Sequence, residues 1–184
     1  MANSEMKTTR ILIAGFGGQG VLFIGKFLSY IGMIGERQVS WLPSYGPEMR
    51  GGTANCSVIL SDTPIGSPIV SDPDVLIAMN LPSFQKYQDK VQTGGVIVMD
   101  SSLIGEKPTR DDVSIYALPA TQMATDEKLD GLGNMILLGK FIGECMPEAE
   151  AYMEAALNKV VPPKKAHLLD ANKKALALGR AFGE

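Results

Sequence analysis

Ile11-Leu12-Ile13-Ala14-Gly15-Phe16-Gly17-Gly18-Gln19-Gly20, ILIAGFGGQG, decides the architecture. Ile11 to Ala14 is a short apolar run with no polar alternation, the pattern of a parallel strand covered on both faces. Gly15, Gly17, Gly18 and Gly20 follow around Phe16 and Gln19, and a helical run begins at Val21 and reaches about Ile31. Glycine permits positive φ and close backbone approach, so such a turn opens the helix N-terminus toward whatever lies above the strand ends. Gly15, Gly17 and Gly20 satisfy GxGxxG, and three readings compete: a dinucleotide-binding turn, a plain tight turn, or a seat for another ligand or partner. The dinucleotide fingerprint also needs an acid about 20 residues on to hold a ribose. The first acid beyond the next strand-like piece, Val39 to Leu42, is Glu48, 28 residues past Gly20, and Glu36 precedes that strand.

The 184 residues are 45% hydrophobic and 20% charged, the composition of one well-buried α/β domain. No signal-peptide pattern opens the chain and no apolar run approaches the roughly 20 residues of a membrane span, so the expected location is the cytoplasm. The two cysteines, Cys56 and Cys145, lie far apart without CxxC spacing, too few for an iron–sulfur cluster or a structural zinc. The single histidine, His167, sits in a lysine-rich helical segment, which leaves histidine-based acid–base catalysis without a candidate. Charge is uneven. Lys159, Lys164, Lys165, Lys173, Lys174 and Arg180 face only Asp170 and Glu184 after position 157. Without aromatic interleaving or a groove motif this basic end reads as a solvated face, not a nucleic-acid surface.

Farther along, Pro43 to Gly52, PSYGPEMRGG, follows the carboxyl end of the second strand. Its two prolines and three glycines exclude regular structure, while Tyr45, Glu48, Met49 and Arg50 are bulky for a spacer. In an α/β sheet such a loop lies where ligands and partners bind, and it is expected beside the glycine turn. Thr53 to Leu60 resumes strand character, and Ser61 to Pro64 reads as a turn into a returning arm, Ile65 to Val70, giving a β-hairpin with Pro68 on an edge. Val75 to Met79, Val96 to Met99 and Ser114 to Leu118 are three further strands, with a short helix through about Lys90 after the first. They end in Asn80, in Asp100 and Ser101, and in Pro119 to Thr121. From Asn134 the pattern is helical to Pro147, then again to Val160, and a last helix spans Lys164 to Phe182. The expected fold is a three-layer α/β/α domain over residues 1–184, with a mostly parallel, mixed sheet that includes a β-hairpin. Residues 147–184 form a helical C-terminal extension.

GFGGQG (15–20), PSYGPEMRGG (43–52), CSVILSD (56–62), DVLIAMN (74–80) and NMILLG (134–139) together resemble the gamma subunit of 2-oxoacid:ferredoxin oxidoreductases. The resemblance covers the chain to about Gly143, and the PSYGPEMRGG loop is its most specific part. It implies a subunit of a complex that converts a 2-oxoacid and coenzyme A to acyl-CoA and carbon dioxide while reducing ferredoxin. Thiamine diphosphate, Mg and iron–sulfur clusters would belong to alpha, beta and ferredoxin-like delta subunits, with none bound by this chain alone. The PEMRGG form of the loop resembles the 2-oxoglutarate or branched-chain branch over the pyruvate branch.

Under that resemblance the ligand- or partner-binding set is Gly15, Gly17, Gly18, Gln19 and Gly20; Ser44, Tyr45, Gly46, Glu48, Met49, Arg50, Gly51 and Gly52; and Asn80, Asp100, Ser101 and Asn134. The glycine turn either holds an anion such as a coenzyme A phosphate or admits another subunit's backbone. Arg50 suits bidentate pairing with a phosphate or carboxylate, or an intrachain salt bridge, with Glu48 orienting it or bridging to a partner; Tyr45 and Met49 suit an interface. No catalytic residue and no metal ligand is assigned. Two other classes remain open: a stand-alone dinucleotide- or flavin-binding oxidoreductase, and a regulatory or scaffolding module.

Overall fold

The computed structural model describes residues 7–44 and 53–183. Tyr45, Gly46, Glu48, Met49, Arg50, Gly51 and Gly52 lie outside the described residues. Strand β1 is Thr8–Phe16, helix α1 Val21–Ile34, β2 Gln38–Ser44, β3 Thr53–Ser61, β4 Val75–Ala78 and α2 Leu81–Tyr87. They are followed by β5 Val96–Asp100, β6 Ser114–Leu118, α3 Ala120–Asp126, α4 Gly133–Cys145, α5 Glu150–Val160 and α6 Leu169–Ala181.

The six strands form one sheet in the order β2-β3-β1-β4-β5-β6. β1, β4, β5 and β6 are mutually parallel, while β3 runs antiparallel to both β1 and β2. Consequently β2 runs with β1, and β3 alone is reversed. The carboxyl ends of the other strands, and the start of β3 opposite Phe16, share one edge of the sheet.

Burial follows the pleat, in which alternate residues point to opposite faces. Ile11 and Ile13 of β1 join Cys56, Val58 and Leu60 of β3, Val75 and Ile77 of β4, and Val98 of β5 on one face. On that face α1 lays down Val21, Ile24, Phe27, Leu28 and Ile31, spaced by three or four residues and at most 2% exposed. The helices α3 to α6 complete this layer, α5 against α1 and α6 against α4. The opposite face carries Leu12, Ala14, Leu76, Ala78, Ile97 and Met99 under Phe84 and Tyr87 of α2, with Ile104 from the segment after β5. Burial of each such side chain contributes about 1.5–3 kcal/mol, which makes the two-sided covering of β1 and β4 the main determinant of the fold.

The expected β-hairpin is corrected in its arms. Residues 65–70 form no strand; the antiparallel partners of Thr53–Ser61 are β2 and β1. The turn after β3 does not reverse the chain onto itself because Asp62 is tied elsewhere. Its carboxylate accepts from the Lys7 amide at 2.8 Å and from the Arg37 guanidinium at 3.0 Å. The last helix is shorter than Lys164 to Phe182. Residues 163–168 make a tighter 3-10 turn with Lys165 at φ −116° and ψ 21°, and no residue there is buried. Regular α geometry begins at Leu169, where Asn172, Ala175, Leu176 and Gly179 acquire a core to face.

Candidate functional site

β1 ends in a turn at Gly17 and Gly18, and Gly20 enters α1 in the left-handed region at φ 82° and ψ 19°. A Cβ at Gly20 would run into the side-chain amide of Asn134, 3.0 Å from its Cγ and nearer still to Nδ2. Both the dihedral and the close approach demand glycine there. Gln19 folds back over the turn that it belongs to. Its Oε1 accepts from the Phe16 amide at 2.6 Å and from Asn80 Nδ2 at 3.4 Å, and its Nε2 donates to the Met79 carbonyl at 3.0 Å. Asn80, 2% exposed, uses Oδ1 to cap α2 through the Ser83 amide at 2.9 Å. Gln19 and Asn80 thereby lock the ends of β1 and β4 together.

Gly18 and Gln19 line a cavity of about 260 Å³ on the helix-rich side of this edge, together with Met79, Asp100, Thr121, Gly133 and Asn134. Gly133 and Asn134 of the first turn of α4 line this cavity, and Gly18 and Gln19 line it just before α1 begins. Neither helix has a cap from its N-cap side chain or an acidic residue in its first turn. The Met135 amide of α4 is engaged by the Asn134 side chain and the Leu132 carbonyl, while the amides of residues 21–23 of α1 and of Gly133 and Asn134 of α4, with the positive ends of the two dipoles, remain available. Asp100 brings a carboxylate, but it is occupied. Its Oδ2 accepts from the Thr121 amide at 3.1 Å and hydroxyl at 2.5 Å, and its Oδ1 from the Ser102 amide at 3.0 Å. Asp100 therefore fixes the start of α3 against the end of β5. Asn134 is 8% exposed; its Oδ1 accepts from the Met135 amide, and its Nδ2 has no acceptor among the described residues. The arrangement offers N–H donors and no unengaged carboxylate, which suits an anionic group.

The sequence candidates separate in space. Gly18, Gln19, Asp100 and Asn134 meet around the cavity, with Gly20 and Asn80 behind them. Gly15 closes β1 opposite Ala54, and Gly17 forms the turn. Ser101 is exposed and only its amide is engaged, with the Leu118 carbonyl at 2.9 Å. Ser44 stands at the end of β2, over a different cleft on the other face. Thr121, Gly131 at φ 82° just before α4, and Gly133 at its first position were not among the candidates although they line the cavity. The signal for them was present in Gly131-Leu132-Gly133, a second glycine-rich entry to a helix.

Neither cysteine has the character of a metal-ligating thiolate. Burial pushes both Cys56 and Cys145 up to about 11, Cys56 against a smaller lowering by the Trp41 indole. Among the described residues no group of three or more His, Cys, Asp or Glu side chains is placed to hold a metal ion, and no helix is long and apolar enough to cross a membrane.

Topology bears on the dinucleotide reading. In that fold the ribose-binding acid stands at the end of the parallel strand beside β1. Here one neighbour of β1 is the reversed strand β3, which begins at this edge with Thr53, and the other is β4, whose end carries Asn80 in a capping role. The cavity is also smaller than the roughly 300–1,000 Å³ usual for cofactor sites.

Residues 10–182 match the family described as pyruvate ferredoxin/flavodoxin oxidoreductase. The chain is 37% identical over 177 residues to ketoisovalerate oxidoreductase subunit VorA of Methanothermobacter thermautotrophicus, a match covering 95% of this chain and 36% of that protein. It is 34% identical over 155 residues to 2-oxoglutarate synthase subunit KorC of Methanocaldococcus jannaschii, with 83% of each covered. The crystal structure of a keto/oxoacid ferredoxin oxidoreductase gamma subunit from Geobacter sulfurreducens superposes with a TM-score of 0.77 at 26% identity, over 94% of this chain and 96% of that one. The chain thus spans about a third of the length of the VorA proteins that it matches, and most of the length of KorC.

Proposed function

The chain belongs to the pyruvate ferredoxin/flavodoxin oxidoreductase family, and from that membership we propose that it is the gamma-type subunit of a 2-oxoacid:ferredoxin oxidoreductase. The overall reaction joins a 2-oxoacid and coenzyme A to give acyl-CoA and carbon dioxide, and two electrons pass to ferredoxin. The observation that carries the reading is the match to KorC over 83% of both chains, which pairs this domain with a subunit of its own size. Alpha and beta subunits, a ferredoxin-like delta subunit and ferredoxin itself are the partners, in the cytoplasm.

Thiamine diphosphate with Mg would supply the electron sink for decarboxylation, and iron–sulfur clusters the path to ferredoxin, both in the partner subunits. The donor set of this chain does not fit a cluster, since its two cysteines sit on separate elements, β3 and α4, with thiols kept protonated by desolvation, and among the described residues no group of three or more His, Cys, Asp or Glu side chains is placed to hold a metal ion. Its own contribution is binding and positioning. The first turns of α1 and α4, with Asn134 Nδ2 between them, hold an anionic portion of coenzyme A. The cavity of about 260 Å³ admits a phosphate-bearing segment and leaves the remainder of the molecule to other subunits. Gln19, Asn80 and the Asp100–Thr121 pair keep those donors in place. Arg50 supplies a cation to the same ligand or to a partner carboxylate.

The substrate is a 2-oxoacid larger than pyruvate, a reading supported by PEMRGG (47–52) and by relatives named for ketoisovalerate and 2-oxoglutarate. The test is to tag the chain in its native host, isolate it anaerobically, and assay dye reduction that requires both a 2-oxoacid and coenzyme A. Copurifying subunits with thiamine diphosphate, iron and that activity support the assignment, and the preferred oxoacid names the enzyme. A chain recovered alone, or one carrying flavin or nicotinamide, overturns it. Within the complex, Asn134→Ala and Arg50→Ala should raise the apparent constant for coenzyme A several-fold and leave that for the oxoacid unchanged. Unaltered constants for both substrates would remove these residues from the site.

A further inference from the structure

The face of the sheet covered by α2 is only half covered. α2 lies over β1 and β4, and among the described residues no helix lies over β3 and β2 on that side. A cleft of about 480 Å³ opens there, and its floor is laid out by register: Leu42 of β2 lies opposite Ser57 of β3, which lies opposite Leu12 of β1. One residue pair nearer the carboxyl edge, Ser44 lies opposite Asn55. Ser57, 8% exposed, and the half-buried Asn55 line this floor with their polar side chains. Leu42, 39% exposed, and Ile69, 68% exposed, stand at the rim. A solvated sheet face is normally polar at such positions, and two large aliphatic side chains here are out of keeping with permanent contact with water.

The adjoining edge supports the same conclusion. β2, QVSWLPS, contains no charged residue along its seven positions and exposes Trp41 and Leu42 on opposite faces. Free edge strands are ordinarily guarded by charge, by shortness or by proline, and here Pro43 is the one such device. A rim that sets Leu42 and Ile69 beside the charged Asp72 and Lys90, over a floor of Ser57 and Asn55, fits an extended polypeptide segment, whose apolar side chains would seat between Leu12, Leu42 and Ile69. Its peptide groups would meet Asn55 and Ser57. Chain length indicates where such a segment comes from. In the ketoisovalerate relative the matching part is 36% of one polypeptide, so it is covalently joined to a larger remainder. The opposite face of the sheet is already filled by α1 and α3 to α6.

We propose that the cleft over β2 and β3 is the docking site for the subunit corresponding to the part of the ketoisovalerate relative that this chain does not cover. The inference rests on the proposed subunit role. Its test uses the complex isolated anaerobically through a tag on this chain, with the partner identified by mass spectrometry as that homologue. Leu42→Lys and Ile69→Lys, both at exposed positions, should each lower the recovered partner at least tenfold while the thermal midpoint of the isolated chain stays at its wild-type value. Met33→Lys, 60% exposed at the end of α1 on the other side, should leave recovery unchanged. Retention of the partner at wild-type stoichiometry by both cleft variants overturns the docking site and leaves the subunit role standing. A wild-type chain that brings down no partner overturns both. An isolated wild-type dimer that Leu42→Lys converts to monomer assigns the face to self-association and overturns the proposal.

Discussion

The contact between Gly20 and Asn134 makes a quantitative claim that a double-mutant cycle can break. Gly20→Ala places a methyl group at φ 82°, which costs about 1 kcal/mol or somewhat more for a non-glycine residue in the left-handed region. The new Cβ also lands 3.0 Å from Asn134 Cγ, and closer to its amide nitrogen, inside a packed region where overpacking costs about 1–3 kcal/mol. The sum, about 2–4 kcal/mol, is a large part of the roughly 5–15 kcal/mol that holds an ordinary domain together. It should lower the thermal midpoint by about 5–15 °C in a chain of this length. Gly18→Ala isolates the backbone share: φ there is 97°, but no atom lies within 4 Å of the added methyl, so about 1 kcal/mol is expected. Asn134→Ala removes the obstructing amide and, with it, the bond to the Met135 amide. Urea unfolding of wild type, both single variants and Gly20→Ala/Asn134→Ala should give a double variant less destabilised than the sum of the singles by about 1–2 kcal/mol, with unchanged m values. Additivity within about 0.5 kcal/mol would show that the two residues do not share space, and the cavity wall would have to be redrawn.

Other consequences are simpler to state. Gly179→Ala should destabilise the chain by about 2–3 kcal/mol or more in the same unfolding assay. The added methyl meets the backbone of α4, 2.8 Å from the Ile136 carbonyl carbon and 2.9 Å from the Lys140 nitrogen. Gly143→Ala, which meets the flexible Arg180 side chain at 3.3 Å, should cost well under 1 kcal/mol. With its thiol pushed up to about 11, half-buried Cys145 should react with iodoacetamide at pH 8 about two-hundredfold more slowly than an ordinary thiol of pKa about 8.5, and the rate of an ordinary thiol on the folded chain would refute that shift. Asp112 is held well below the usual carboxylate range by hydrogen bonds from Arg110 and Thr93, and Asp62 is lowered chiefly by the Lys7 amide. A carboxyl group lowered in the folded state stabilises the fold above the unfolded carboxylate range and loses that contribution as pH falls through its folded value. Thermal midpoints should therefore decline below about pH 4, and Asp112→Asn should flatten that decline.

What the sequence showed, and what it hid, divides along local and nonlocal causes. β1 and its turn were legible because a periodless apolar run followed by glycines carries its own explanation. β3 was legible as a strand, but its partners were not. Ser61 to Pro64 has the composition of a hairpin turn, and only the tertiary ties of Asp62 to Lys7 and Arg37 show that the chain is led away. α3 was missed because ATQMATD has three residues of weak helix propensity in seven, and its first turn is held from outside by Asp100. The candidate polar residues at the strand ends do converge on one edge. The division of labour among them could not be read, since Gln19, Asn80 and Asp100 spend their polar groups on Phe16, Met79, Ser83, Ser102 and Thr121, while Asn134, which lines the cavity, has no acceptor for its Nδ2 among the described residues.

The reversed strand explains how a glycine turn of dinucleotide type comes to serve another end. In an open α/β sheet the binding crevice forms where successive crossovers leave for opposite faces, and here α1 and α2 do so between β1 and β4. A dinucleotide would extend from that crevice across the end of the strand on the other side of β1. β3 occupies that position running the wrong way, so the edge presents the beginning of a strand where an acid-bearing end would be needed. Its insertion moves β2 outward to become an uncharged edge and, among the described residues, leaves the β2–β3 floor without a helix. One topological change thus removes the acid-bearing strand end from beside the glycine turn and, among the described residues, leaves that half of the sheet face without a helix. A fold altered in that way suits a subunit that holds part of a ligand while others hold the rest.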